Sequence, residues 1–153
     1  MNAFAKVFVC TASVFAAILV LPPAIFASVD PTTVYARAFA LLAAEPYVKK
    51  GFHVREDYWV GELASGEKKA VRQQLFKGND YWFWLGTEID HAKVSVHIYN
   101  SDGELAEQSD SWVKEHCAAA HIIPKTTGSY FIVVSVEQSP AARTHWALAY
   151  GFR

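Results

Sequence analysis

The residues able to do chemistry are spread along the chain rather than gathered into a motif. The histidines are His53, His91, His97, His116, His121 and His145. His91 and His97 share parity on an extended segment, yet they would stand about 20 Å apart along it. The sequence contains no C-x-x-C, H-E-x-x-H or H-x-H spacing, so it assigns no zinc ligands. His116 precedes Cys117 and raises a thiol-hydrolase reading. Adjacent residues of a strand face apart, so His121 or His145 would have to supply the base. No G-x-S-x-G elbow or phosphate-cradling glycine loop occurs, and Ser135 lies inside an apolar run. The acids Asp90, Asp102 and Asp110 sit in or beside turns, where a calcium ion would look for ligands. The run "NSDGELAEQSD" lacks the regular ligand alternation, the glycine at the sixth place and the distal glutamate of a calcium loop. It reads better as a solvated hairpin turn in which Asn100 and Asp102 cap the backbone and Gly103 takes a positive φ.

Aromatic residues are the stronger signal. Five tryptophans, Trp59, Trp82, Trp84, Trp112 and Trp146, accompany seven tyrosines. Exposed rings of this kind stack on sugars; buried ones fill a core that has no disulfide. The stretch "YWFWL" separates the two uses by parity, with Tyr81, Phe83 and Leu85 on one face of a strand and Trp82 and Trp84 on the other. A two-layer sandwich has one inner face per sheet, so the tryptophans are either exposed or covered. A helix rich in Val34, Phe39, Leu41 and Leu42 offers the cover, and it spares the surface a large apolar patch. We therefore expect Trp82 and Trp84 beneath the helix. Trp112, in the polar setting "SDSWVKE", and Trp59 remain the candidate ligand contacts.

These side chains must be held by elements that the sequence also marks. Asp30-Pro31 is a helix start, and Pro46 predicts an end near Glu45, giving a helix over about 31–45. From about residue 52 onward the pattern is β. Phe52–Leu63, Lys69–Phe76, "YWFWLGTE", "KVSVHIYN", "CAAAHIIP", "YFIVVSVE" and "THWALAYGF" are separated by turn signals such as "KGND" and "KTTGSY". The passage up to His116 is polar and poorly patterned. The expected fold is mainly β, an antiparallel jelly roll or β-sandwich of seven or eight strands with one N-terminal helix.

Ahead of this domain, Lys6 precedes an uncharged run from Val7 to Leu21, Pro22-Pro23 follow, and Ala27 offers a small residue before Ser28. That order reads as a signal peptide over residues 1–27, and the run is short for a membrane span. Residues 28–153 then form a single domain, exported to the periplasm or the extracellular space. Cys10 leaves with the leader, so Cys117 has no intramolecular partner and reads as a buried, inert thiol. Losing Lys6 leaves a weakly acidic chain, with 15 Asp and Glu and no basic block. Nucleic-acid binding gains no support.

Between about residues 67 and 137 the order of features resembles the bacterial pre-peptidase C-terminal (PPC) domain. The matching stretches are "GNDYWFWL", "KVSVHIYNSDGELAEQSD" with its D-G turn, and "IIPKTTGSYFIVVSV". The chain departs from that family at Asp90-His91-Ala92-Lys93, where Lys93 stands in the place of a second acid. Calcium sites of relatives are therefore not carried over. The resemblance implies a small jelly-roll accessory module, not a catalytic unit, and the residues themselves assign no metal or cofactor. The module would contact a protein or an envelope polysaccharide and have no membrane span once the leader is cut. A second reading is a carbohydrate-binding module using Trp112 and whichever of Trp59, Trp82 and Trp84 is exposed. A small hydrolase built on Cys117 is the third. The leader makes one prediction of its own: intact-mass analysis of the exported protein should find Ser28 at the N-terminus, and a full-length membrane-bound product contradicts it.

Overall fold

The computed structural model of the chain describes residues 31–153. The leader, its cut before Ser28 and the Asp30 cap lie outside the described residues. Helix α1 spans Pro31–Val48. Nine strands follow: β1 (His53–Val54), β2 (Trp59–Leu63), β3 (Lys68–Leu75), β4 (Tyr81–Thr87), β5 (Lys93–Tyr99), β6 (Trp112–Lys114), β7 (Cys117–Ile122), β8 (Gly128–Gln138) and β9 (Thr144–Phe152). β1 and β6 are edge pieces of two and three residues, so the sandwich proper rests on the longer strands the sequence marked.

Every pairing is antiparallel. One sheet runs β1-β9-β4-β7-β6 with β2 also on β9, and the other runs β3-β8-β5. Apart from the β1–β2 and β6–β7 steps, successive strands cross between them: β1, β2, β4, β6, β7 and β9 belong to the larger sheet, β3, β5 and β8 to the smaller. The chain thus wraps its core in the manner of a jelly roll. The expected fold class, mainly β with one helix ahead of an antiparallel sandwich, is the one observed.

β4 lies at the centre of the larger sheet, and all seven of its residues are buried. Tyr81, Phe83 and Leu85 enter the core between the sheets, with Ile98, Ile132 and Leu148. Trp82 and Trp84 project from the other face into a second cluster with Ala44 and Phe52. They are 5% and 0% exposed, so the helix does cover them. Burying two such rings removes about 150–250 Å² each from water, roughly 4–6 kcal/mol apiece at ~25 cal/mol/Å² as an upper bound. Trp84 Nε1 finds no acceptor among the described residues, which offsets part of that gain.

The helix does not use the face the sequence suggested. Its buried residues are Ala36, Ala40 and Ala44, whereas Val34, Leu41 and Leu42 are exposed and Phe39 is half-buried. The cause lies in the sheet. Gly86 has no Cβ, and a Cβ built there would press on Ala36 O and come within 2.5 Å of Ala40 N. Backbone meets backbone at this crossing, so only small residues fit. α1 also outruns its expected end at Glu45. Pro46 falls in the last turn, where only the bond to the Leu42 carbonyl is lost, and on an exposed side where water takes that role. The helix stops instead at Gly51, φ 91°. Gly51 N–H donates to Val48 O at 3.0 Å and Phe52 N–H to Tyr47 O at 3.1 Å, a Schellman closure.

The expected strand over Phe52–Leu63 is divided into β1 and β2, which share the same edge of β9. The "NSDGEL" turn forms with Asn100 alone as the cap: its Oδ1 accepts from the N–H groups of Asp102 at 3.0 Å and Glu104 at 2.9 Å, Gly103 has φ 80°, and Asp102 contributes its N–H rather than the expected side-chain cap. No helix among the described residues is long and apolar enough to cross a membrane. Gly86→Ala should lower the unfolding free energy by about 1–3 kcal/mol in urea titration. Gly128→Ala, whose added Cβ meets nothing within 4 Å, should stay within about 0.5 kcal/mol of the parent. Equal stability of the two variants contradicts the close helix–sheet approach.

Candidate functional site

An aromatic-lined concavity lies where α1 overhangs the β6–β7 hairpin. One wall is the helix stripe of Phe39, Ala43 and Tyr47, at i, i+4 and i+8, and the other is Trp112, Lys114 and Cys117. The cavity measures about 410 Å³, within the usual range of a ligand cleft. The alanine stripe positions this wall: with Ala36, Ala40 and Ala44 down on the sheet, the residues beside them turn toward β6. Trp112 Nε1 donates to the Tyr47 hydroxyl at 2.8 Å and locks the two rings across the floor. Burial holds that hydroxyl above its ordinary pKa; the Trp112 bond lowers it and Asp110 adds to the rise. Lys50 lies 5.1 Å from the Tyr47 ring centre and Lys114 5.4 Å from that of Trp112. The rim thus sets two lysines and one acid, Glu115, above an aromatic floor.

His116 closes one end. Its ring stacks on Phe39 at 4.4 Å with 9° between planes, and its Nε2 meets Asp90 Oδ1 at 3.0 Å. Its buried Nδ1 has no partner among the described residues. Cys117 turns toward the helix, where its thiol donates to Phe39 O at 3.5 Å. Burial, and then the charge of Glu115, push that thiol up to about 11. A group held as the thiol near neutrality is a poor nucleophile.

The residues singled out from the sequence are not gathered here. Trp112 forms the floor, half-buried rather than exposed. Trp59 is on β2 at the opposite edge of the larger sheet, half-buried against Tyr150 at 5.5 Å. Trp82, Trp84 and Trp146 are buried, so the exposed tryptophan platform of the sugar-binding reading is not present among the described residues. The turn acids separate: Asp90 pairs with His116, Asp110 with His121 Nδ1 at 2.7 Å, and Asp102 serves the 100–104 turn through its backbone. No group of three or more His, Cys, Asp or Glu that could hold a metal ion occurs among the described residues. Of the helix side, Tyr47 and Lys50 escaped notice; their signal is the i, i+4 stripe running beside the alanines.

Against known proteins, no family model matches the chain and no curated protein does. The thiol supplies a test. Its folded-state pKa is raised, so its contribution to stability is complete below about pH 9 and is lost as pH climbs toward 11. Near neutral pH, iodoacetamide should label Cys117 at least about tenfold more slowly in the native protein than in urea. Cys117 is half-buried, short of the full burial expected, and rapid native labelling contradicts its shielding.

Proposed function

We propose that this chain is an exported, non-enzymatic accessory module of the kind its resemblance to PPC domains implies, holding a protein or envelope polymer in the groove beneath α1. The carrying observation is the groove itself: an aromatic floor fixed by the Tyr47–Trp112 bond, with Leu42 and two lysines at its mouth. Neither Lys50 nor Lys114 is tied into an ion pair among the described residues, so both are open to a polar or anionic ligand. The hydrolase reading loses support from the protonated state of Cys117, and the Trp112–Trp59 sugar platform from the width of the sheet between them.

Leu42 is 61% exposed and Lys114 is also exposed, so a Leu42→Glu/Lys114→Glu variant should fold normally, judged by an unchanged Tm. Immobilised parent protein is expected to retain a protein or polysaccharide component from envelope extract that this variant releases. Identical retention by the two proteins, or none by either, rejects the groove as the binding site.

A further inference from the structure

β6 ends its sheet. It pairs with β7 through Trp112–Ala119, Val113–Ala118 and Lys114–Cys117, and no strand of the described residues lies on its outer side. A sheet edge of this kind presents backbone N–H and C=O groups to solvent. β6 is short, at three residues, and ends on Lys114, but it holds no proline, and Val113 in its middle is 61% exposed. A cavity flanks each face of this edge. On the helix side is the aromatic groove. On the other side, between the rims of the two sheets, is a wider hollow of about 920 Å³ with Asp90, Lys93, Val113, Glu115 and Glu137. Glu115 and His116 border both.

The two hollows differ in charge. Over the aromatic groove Lys50 and Lys114 outnumber the shared Glu115, whereas the wider hollow sets Asp90, Glu137 and the same Glu115 against Lys93. Side chains of an added strand alternate between its faces, so one parity would meet the cationic aromatic groove and the other the acid-rich hollow. Strand addition gains affinity from the main chain and specificity from pockets that take alternate side chains.

We propose that β6 is a strand-addition site for an extended peptide segment of a partner protein. The segment carries apolar and acidic side chains on the parity facing Tyr47 and Trp112, and basic ones on the parity facing Glu115 and Glu137. This inference rests on the groove being the binding site and specifies what occupies it. A glycan would use the groove without the edge, and a second copy of the chain would pair β6 with β6.

The test pans a displayed library of random linear peptides against the protein, then measures binding of enriched, labelled peptides by fluorescence anisotropy. Enriched peptides should show the acidic–apolar and basic alternation. Val113→Pro, which removes an edge N–H, and N-methylation of alternate peptide nitrogens should each weaken binding at least about tenfold. N-methylation leaves the protein untouched, so the test holds even if the proline variant folds poorly. Lys114→Glu should select peptides of reversed charge. Binding that survives N-methylation overturns strand addition, as does failure to enrich any peptide. If a glycan array instead binds the parent and fails on Leu42→Glu/Lys114→Glu, the groove stands and the strand falls; if neither library binds, both fall. Concentration-dependent dimerisation abolished by Val113→Pro would assign the edge to a second copy and also overturn the proposal.

Discussion

The close crossing of α1 over Gly86 governs the rest of the architecture. A sandwich of this size with an outer face bearing Trp82 and Trp84 needs a third layer, and the helix provides it only because three alanines let its backbone approach the strand. Larger residues at Ala36 or Ala40 would lift the helix and open the tryptophans to water. Close packing also fixes the helix's rotation about its own axis. With the alanines down, Phe39, Ala43 and Tyr47 fall on the side of β6, so the groove is a by-product of how the tryptophans are covered.

Histidine–carboxylate pairs secure the margins where the core thins. His121 lies between Asp80, 2.6 Å from Nε2, and Asp110, 2.7 Å from Nδ1, and stacks on Trp82 at 4.7 Å. Asp80 also accepts from Arg153 Nε at 2.9 Å. Together these tie β7, the turn before β4, the approach to β6 and the end of β9 to one point. His145 with Glu88, at 3.0 Å, anchors the start of β9, and His97 with Glu107, at 3.1 Å, holds the chain after the 100–104 turn against β5. In a domain with a single thiol these polar clips do at the rim what apolar contacts do at the centre.

Strand parity in "YWFWL" and the turn chemistry at Asn100–Gly103 were readable because both are local: period-two alternation and a side chain capping its own backbone. The helix was recognisable for the same reason, but not its orientation. Alanine is weakly apolar, so the eye follows leucine and valine, and only Gly86, on a strand distant in sequence, reveals that the leucines must face out. β6 carries no pattern since three residues are too few to show one. The pairing of His121 with Asp80 spans 41 positions, and nothing near either residue announces the other. The groove is assembled from these two illegible parts, a helix rotation and a short edge strand. Its tryptophan alone was visible beforehand.

The placement of β9 has a consequence for the order of assembly. This last strand is the one to which β1, β2 and β4 all pair, and α1 contacts both it and β4. The first element of the described fold therefore has no complete surface to settle on until the final one is in place. Contacts so distant along the chain close late and slowly. Until β9 pairs, the helix and one flank of β4 stay uncovered, so closure of the larger sheet joins the two ends of the described fold in one step.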